Sequence, residues 1–288
     1  MYAVISPVKN EAEFIEKTIE SMIRQSVKPE VWIIVNDGSS DGTGAIVQRY
    51  AKAYDWIKLV NRNGSSVTRQ RGKGVIEAFY AGYETLTNKY DFIVKLDGDV
   101  SFEPTYFESL LEKFASDPHL GIAGGGLYEK PEGKTWLLMT SKDHVRGCTK
   151  IYRQACFEAI GGLVPAMGWD GIDEWKALSL GWNVQSFIDI AIYHYRFTGA
   201  ATGFLKSFYE QGNGAYRMGY HPLYLIARGF RRMADKPIVF GGLVMMWGFL
   251  IAFLHQEEKL ADPSVISYVR QAQLCKLAGQ LTGKPVHK

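Results

Sequence analysis

The first 100 residues alternate short apolar runs with segments of helical periodicity, and this alternation limits the folds open to the chain. Each apolar run is short enough for a buried strand, and each periodic segment places apolar side chains on one face of a helix. Strands that alternate with helices form βαβ units, which build a mainly parallel sheet flanked by helices. The predicted elements, in chain order, are 2–6, 11–23, 31–35, 45–54, 56–60, 74–86 and 93–97.

Two carboxylates one residue apart, Asp97 and Asp99, end the fourth predicted strand. The carboxyl end of a strand is where open α/β sheets bind their ligands. Two hard oxygen ligands this close together suit a divalent cation that also holds substrate phosphates. Such triplets also occur as solvated turns, so the weight of this one comes from the segments that precede it.

Three polar segments precede the two carboxylates in a fixed order. Residues 7–11 follow the first strand, residues 36–43 follow the second, and the basic loop 69–74 introduces a helix. In a doubly wound sheet these tips converge on one crevice. Such a crevice offers backbone N–H groups at helix starts, Arg or Lys for phosphate, and carboxylates for a metal. This set of groups suits a nucleoside diphosphate.

In their order, these segments resemble those of the inverting nucleotide-sugar glycosyltransferases of family 2, which have the GT-A fold. Residues 4–11 resemble the opening strand and base-binding loop, and residues 152–163 resemble the acceptor-side segment. Residues 36–43 are similar to the aspartate–glycine–serine signature, which implies that Asp37 contacts the nucleobase or the ribose. With the basic loop, the predicted nucleotide-binding set is Pro7, Asn10, Glu11, Asp37, Ser39, Arg71, Lys73 and Asp97.

A metal site follows from the same resemblance, which implies that Asp97 serves the ribose and Asp99 binds Mn²⁺ or Mg²⁺ on the diphosphate. His194, near the end of a strand predicted at 184–195, is a candidate further ligand, because imidazole can join carboxylates at such sites. A packed or surface histidine is the alternative.

The general base of the family is the Asp of a Glu-Asp pair that opens a helix ended by Gly. Counting back from Gly181 places Trp169-Asp170 on that pair, and Asp173 follows closely. The predicted base is therefore Asp170 or Asp173, and we favour Asp170. Arg196 and Lys73 are further candidates for pairing with phosphate. The residues predicted on the acceptor side are Trp169, Glu174 and Arg196.

These assignments predict a reaction. Sugar transfer to a hydroxyl needs a base within hydrogen-bond reach of the acceptor oxygen. One carboxylate as base with none as nucleophile implies inversion at the sugar. We expect a metal-assisted, inverting glycosyltransferase with a UDP-, GDP- or dTDP-linked donor. A sugar-phosphate nucleotidyltransferase of similar fold is an alternative, although residues 4–11 lack the glycines of its phosphate loop. An inactive, membrane-associated sugar-binding module is another.

The C-terminal portion has a different composition. Residues 201–288 carry 11 Lys and Arg against 5 Asp and Glu, whereas residues 1–200 carry 22 against 25. Residues 238–254 contain no charge and lie at the short limit for a membrane span. This run either spans a membrane, lies in its interface or is buried in protein. Its basic flank favours a membrane surface over nucleic acid, so a polyprenyl-linked glycan or growing polysaccharide is the expected acceptor.

Composition and cysteine usage complete the prediction. A hydrophobic content of 47% and a charged content of 22% are ordinary for a globular protein. Three cysteines without C-x-x-C spacing, and no signal-peptide pattern at the N-terminus, predict a cytoplasmic protein at the cytoplasmic face of the membrane. We predict a GT-A catalytic domain over 1–205, with a nucleotide-binding half (1–100) and an acceptor half (101–205). A helical, partly apolar membrane-associating region over 206–288 follows.

Overall fold

The computed structural model describes residues 1–62, 72–130, 135–196, 204–233 and 238–282. Arg71, one of the predicted nucleotide-binding residues, lies outside the described residues. The chain divides into two compact units, Met1–Phe197 and Thr198–Lys288. The first unit combines strands and helices, and the second is helical.

The strands of the first unit form one sheet. They are β1 (Tyr2–Val8), β2 (Val31–Asp37), β3 (Ile57–Arg62), β4 (Phe92–Leu96), β5 (Val100–Phe102), β6 (Leu120–Glu129), β7 (Leu137–Leu138), β8 (Thr149–Arg153) and β9 (Asn183–His194). Their order across the sheet is β3-β2-β1-β4-β8-β6-β9-β5, with β7 paired to β6. The β3-β2-β1-β4 half is parallel, and β8 runs antiparallel to both of its neighbours. The predicted α/β class is confirmed.

Helices cover both faces of this sheet. They are α1 (Ile15–Ile23), α2 (Thr43–Ala53), α3 (Lys73–Tyr83), α4 (Tyr106–Ser116), α5 (Gln154–Ala159) and α6 (Trp169–Ser179). Alternate residues of β1 enter two separate cores: Val4 packs with α1, α2 and α4, and Ile5 packs with α3, α5 and α6. Because both faces of β1 are buried, its sequence is an almost continuous apolar run.

Helix α1 begins at Ile15, four residues later than the periodicity predicts. The preceding backbone is held by the next strand tip instead: the Glu11 amide donates to Thr43 Oγ1 at 2.8 Å, and the Ala12 amide donates to Asp41 Oδ2 at 2.9 Å. These bonds keep residues 10–12 in an irregular loop, because a side-chain acceptor competes with the helical hydrogen-bond pattern. The loop is part of the site described below.

The second unit contains α7 (Phe204–Arg217), α8 (Pro222–Arg232), α9 (Phe240–Leu254) and α10 (Pro263–Thr282). Helix α9 occupies most of the uncharged run at 238–254. It packs closely on α7, since a Cβ added to Gly248 would lie 2.3 Å from the Tyr209 carbonyl oxygen. Among the described helices, none combines the length and the apolar character needed to cross a membrane.

Candidate active site

The candidate site lies at the carboxyl ends of β1, β2 and β4. The chain order reverses at β1, because β2 and β3 lie on one side of it and β4 on the other. Ligands of open α/β sheets bind at such a reversal. Two of the tips touch directly: a Cβ added to Gly98 would lie 2.7 Å from Val8 Cγ1 and 3.5 Å from Glu11 Cγ. Gly98 thus permits the close approach that brings Asp97 and Asp99 beside β1.

The first two strand tips are joined by hydrogen bonds. Pro7 lies opposite Val35 in the β1–β2 register, just before both strands end. Asn10 has a φ of 54°, a left-handed conformation that Asn tolerates better than most residues. Its amide donates to Ser39 Oγ at 3.0 Å, and its side-chain Oδ1 accepts from the Ser40 amide at 2.9 Å. The predicted residues Pro7, Asn10 and Ser39 therefore lie in one connected loop pair.

Asp37, at the end of β2, is fixed by charge. Arg62 Nη1 lies 3.1 Å from Asp37 Oδ1, and Arg62 Nη2 lies 3.3 Å from Glu77 Oε2 on α3. Lys9 Nζ donates to the Asp37 carbonyl oxygen at 2.8 Å. The carboxylate is thus oriented at the rim of the crevice by Arg62, which the sequence analysis did not single out.

Lys73 is the first residue of α3 and is exposed to solvent. Its Nζ lies 3.6 Å from Glu77 Oε1, one helical turn along. An exposed pair of this spacing contributes little to stability, so Lys73 is available to another anion. Its predicted role in phosphate pairing stays a prediction.

Asp97, Asp99 and His194 form a group that could hold a metal ion. One ligand atom from each lies within 4.8 Å of the others, and Asp99 and His194 are buried. Asp97 is contacted by Lys95 Nζ, which also donates to the Gly147 carbonyl oxygen at 2.7 Å. Two carboxylates and an imidazole are ligand types that divalent cations accept.

His194 is held between two carboxylates. Its Nε2 lies 3.3 Å from Asp99 Oδ1, and its Nδ1 lies 2.9 Å from Oε1 of the buried Glu129. Burial alone would lower the pKa of His194, but the hydrogen bonds to Asp99 and Glu129 and the charges of Asp99 and Asp97 outweigh it and raise this pKa to about 9. A carboxylate behind a ligating histidine commonly fixes the ring so that the other nitrogen faces the metal.

Arg196 lies on the nucleotide side of this group. Its Nη2 is 3.0 Å from Glu11 Oε2 and 2.8 Å from the Asn10 carbonyl oxygen, and its Nε is 3.7 Å from Asp99 Oδ2. These contacts place the guanidinium between the β1 tip and Asp99. The two predicted roles of Arg196, in phosphate pairing and on the acceptor side, stay predictions.

Asp170 lies in the first turn of α6, close to the metal group. A Cβ added to Gly147 would lie 3.2 Å from Asp170 Oδ2. Since Lys95 bonds both Asp97 and the Gly147 carbonyl, one buried lysine connects the two parts of the site. Asp170 is partly exposed, and its backbone carbonyl accepts from Lys150 Nζ at 2.6 Å.

Asp173 and Glu174 face the protein interior instead. Lys150 Nζ lies 2.9 Å from both oxygens of Asp173 and 3.0 Å from Glu174 Oε1. Asp173 also accepts from Tyr152 at 2.5 Å, and Glu174 accepts from the Val145 amide at 2.8 Å. Burial opposes the charge on Lys150, but the two carboxylates outweigh it and raise the pKa of Lys150.

The predicted acceptor-side tryptophan, Trp169, is mostly core. Its side chain belongs to the apolar cluster beneath α6 and is 7% exposed. Lys95 Nζ and Lys150 Nζ lie 5.3 and 5.6 Å from the ring centroid, within cation–π range. The ring therefore packs near both the lysine that contacts Asp97 and the lysine that contacts Asp173.

Four charged residues at the site were missed in the sequence: Arg62, Lys95, Glu129 and Lys150. Lys95 and Lys150 are cations inside strands that are otherwise buried, which is a usable signal, because a buried charge requires a partner. Glu129 ends a ten-residue strand with nine buried positions, so the rule that singled out Asp97 applies to it as well.

Comparison with known proteins places the chain in a family. The model for glycosyl transferase family 2 matches residues 3–169, and the chain belongs to that family. The match contains the three strand tips and ends one residue before Asp170. The family resemblance seen in the sequence is thereby confirmed.

Individual relatives share only modest sequence identity with this chain. The chain is 30% identical over 108 residues to the cholesterol galactosyltransferase of Borreliella burgdorferi, covering 38% of this chain and 27% of that enzyme. It is 26% identical over 239 residues to EpsH of Bacillus subtilis, which carries a provisional glycosyltransferase name, covering 74% of this chain and 66% of EpsH. The chain thus spans about a quarter of the first relative and about two thirds of the second.

Solved structures share the fold. The mannosyltransferase PcManGT from Pyrobaculum calidifontis, in complex with GDP-Man and Mn²⁺, superposes with a TM-score of 0.57 at 18% identity, covering 99% of this chain and 81% of that one. TarS 1–349 of S. aureus, in complex with UDP-GlcNAc, gives a TM-score of 0.54 at 16% identity, with coverage of 97% and 80%. The fold of this chain is therefore GT-A.

Proposed function

We propose that this protein transfers a sugar from a nucleotide-sugar donor to a hydroxyl of a glycan or lipid-linked acceptor. The observation that carries the proposal is that two groups of side chains lie next to each other at the same end of the sheet. The Asp97–Asp99–His194 group, suited to a diphosphate-bound metal, is joined through Lys95 and Gly147 to the partly exposed carboxylate of Asp170. Family membership supports the same reaction class.

For the donor, Asp37 would bind the nucleoside and Asp97 the ribose. Arg196 and Lys73 would pair with the phosphates, since both are cations at the rim of the crevice. The two solved neighbours carry GDP-Man and UDP-GlcNAc, so UDP-, GDP- and dTDP-linked sugars are the candidates to test.

Asp99 and His194 would hold the cation, Mn²⁺ or Mg²⁺, with Asp97 as a further carboxylate nearby. Their chemistry fits: the ligand atoms lie within 4.8 Å of one another, and Glu129 orients the His194 ring. When bound, such a cation supplies positive charge that stabilises the departing diphosphate.

Asp170 is the better candidate for the general base. A base must lie within hydrogen-bond reach of the acceptor hydroxyl. Asp170 is partly exposed at the start of α6, whereas the oxygens of Asp173 are buried and bonded to Lys150 and Tyr152. Deprotonation by Asp170, with no carboxylate nucleophile, would invert the anomeric centre. Asp173 and Glu174 would anchor α6 and so position Asp170.

The base assignment is tested by two matched variants. Asp170→Asn is expected to lower turnover by about 10²–10⁴-fold while donor binding, followed by calorimetry, is unchanged. Asp173→Asn is expected to lower thermal stability and to leave Asp170 functional in the fraction that folds. Full turnover in Asp170→Asn, combined with lost turnover in a stably folded Asp173→Asn, would move the role to Asp173. The anomeric configuration of the product, read by NMR, tests inversion.

The donor class is tested by thermal shift with UDP-, GDP- and dTDP-sugars, each with Mn²⁺ or Mg²⁺ and with EDTA. Release of pyrophosphate from a nucleoside triphosphate and a sugar phosphate would instead establish a nucleotidyltransferase. Sugar binding without hydrolysis or transfer of any donor would establish an inactive binding module. Each outcome contradicts the proposed transfer reaction.

A further inference from the structure

Helix α8 presents apolar side chains to solvent, and Arg231 lies about a quarter turn from that face. Leu223, Ile226 and Phe230 lie one turn apart and are exposed, with Phe230 63% exposed. Leu225 and Gly229 form the buried face. A helix at the surface of a soluble protein normally has the opposite arrangement, with polar residues outward. The basic residues of α8 are Arg228, Arg231 and Arg232.

Helix α9 is apolar on two opposite faces. One face is buried and consists of Gly241, Gly242, Met245, Gly248 and Ala252. The opposite face is exposed and consists of Phe240, Leu243, Trp247, Leu250 and Leu254. Trp247 is 56% exposed and Phe240 is 64% exposed. Exposed apolar residues spaced at i, i+3, i+7, i+10 and i+14 form a continuous stripe, and contiguous stripes of this size mark an interaction surface.

The two exposed stripes lie on the same side of the helix pair. A Cβ added to Gly242 would meet the Gly229 carbonyl and Met233, and one added to Gly229 would meet Met246, so α8 and α9 are antiparallel. With 3.6 residues per turn, each exposed stripe lies about a quarter turn from this contact line. Because the two helices are antiparallel, a quarter turn in the same rotational sense on each helix brings both exposed stripes to the same side of the pair. We define the α8–α9 face as Leu223, Ile226, Phe230, Phe240, Leu243, Trp247, Leu250 and Leu254.

We propose that the α8–α9 face lies in the interface of an anionic lipid membrane. Helices α8 and α9 contain three arginines and no acidic residue, which complements anionic headgroups. A second copy of the same face would bring like charges together, so charge argues against a self-complementary dimer. An apolar face with an exposed Trp and an arginine near its border is typical of helices buried about 5–10 Å into the headgroup boundary.

This placement decides among the three interpretations of residues 238–254. One face of α9 is occupied by α7 and α8, as the contacts of Gly242 and Gly248 show, and the other face is apolar and exposed. A helix with one protein-facing and one apolar, exposed side that is too short to span a bilayer lies along the membrane plane. The inference does not depend on the proposed sugar transfer, because membrane binding is measured without turnover.

The experiment is co-sedimentation of the full chain with two kinds of vesicle. One is phosphatidylcholine alone, and the other contains about 30% phosphatidylglycerol, which gives the surface a negative charge. Binding to the anionic vesicles and weak binding to the neutral ones are expected. Trp247→Ser with Leu250→Ser should reduce the anionic partition coefficient about tenfold or more. Leu180→Ser is the matched control, since Leu180 in the first unit is also 56% exposed and should bind as wild type does.

A second pair of variants tests the charge. Arg231→Gln should reduce binding to anionic vesicles about fivefold and leave the low binding to neutral vesicles unchanged. Arg228→Gln, on the far side of α8 from the exposed stripe, should have a smaller effect. Circular dichroism melting curves that match the wild type confirm that each variant folds. Wild type that fails to sediment with anionic vesicles, or Trp247→Ser with Leu250→Ser that sediments as wild type does, overturns the proposal. So does a dimer, seen by light scattering, that these substitutions dissociate while no vesicle binding is found.

Discussion

Two charged clusters in the first unit are each built around a buried aspartate, and the geometry at that aspartate differs between them. Around Asp173, each contact to Lys150 and Tyr152 is a hydrogen bond of 2.5–2.9 Å. Around Asp99, the contacts to His194 and Arg196 are longer, at 3.3 and 3.7 Å. In the first cluster, protein donors contact the Asp173 carboxylate at ideal hydrogen-bond distances. The contacts of Asp99 to His194 and Arg196 have the looser geometry expected of a ligand that can accept a cation.

A buried carboxylate alone is therefore not evidence of a functional site. What separates the clusters is how closely protein donors approach the central carboxylate, Asp173 or Asp99. Lys150 sits between Asp173 and Glu174 in the anchor, whereas Asp97, Asp99, Glu11 and Glu129 gather around His194, Lys95 and Arg196. The four predictions below test this contrast.

The largest effect is expected at the anchor. Lys150→Met should lower the free energy of unfolding by about 3–5 kcal/mol, because it leaves Asp173 and Glu174 buried without their cation. Urea denaturation measures the loss, with Lys58→Met, on an exposed position of β3, as control. An unfolding free energy equal to that of the control would mean that the anchor is not a stabilising cluster.

At the metal group, the corresponding change should affect turnover instead. Asp99→Asn is expected to reduce transfer about 10²–10³-fold and to change the unfolding free energy much less than Lys150→Met does. Asp189→Asn, at an exposed position, is the control. If Asp99→Asn unfolds the protein and spares turnover of the folded fraction, the two clusters do not differ in kind.

Glu129→Gln sharpens the comparison, because it removes the charge of the carboxylate that hydrogen-bonds to His194 and leaves the predicted metal ligands in place. Loss of a carboxylate behind a ligating histidine commonly costs 10–100-fold in metal affinity. Calorimetric titration with Mn²⁺ should show a decrease of about this size, whereas Glu84→Gln on the surface should titrate as wild type. Unchanged Mn²⁺ affinity would mean that His194 is not a ligand.

The smallest effect concerns pH. Because the pKa of His194 is raised to about 9, protons compete with the metal below that value. Apparent Mn²⁺ affinity should rise up to about tenfold per pH unit between pH 7 and 9, and less steeply in His194→Gln. For the metal-free protein, the raised pKa stabilises the fold fully below pH 6.5, and this contribution is lost as pH rises through 9. A flat pH dependence in both measurements would contradict the assignment.

Much of the architecture could be predicted because it is local. Apolar runs predict the strands, and short polar segments after them predict the tips that carry Asp37, Asp97 and Asp99. The base region was predicted from its distance to Gly181. Helix α1 was misplaced at its start, because Thr43 and Asp41 on the next tip hold the preceding backbone. Side-chain bonds from a distant loop leave no periodic trace in the sequence.

The partners of the site residues could not be predicted in this way. Glu129 faces His194 because β6 and β9 pair in parallel with these two residues in register, and β5 brings Val100 opposite His194. A shift of one residue would turn His194 to the other face of the sheet. Register between strands 65 residues apart depends on the whole sheet, so nothing near either residue reveals the contact.

The sequence by itself determined the α/β order of the first unit, the family and the polar residues at the strand tips, since these depend on short-range periodicity and motif spacing. Tertiary structure alone decided which of the neighbouring acids in α6 are bonded to Lys150 and which is partly exposed. It also decided which side of α9 meets α7 and which meets solvent. Both outcomes depend on burial and on partners distant in the chain, and burial and charge neutralisation are set only when the elements pack together.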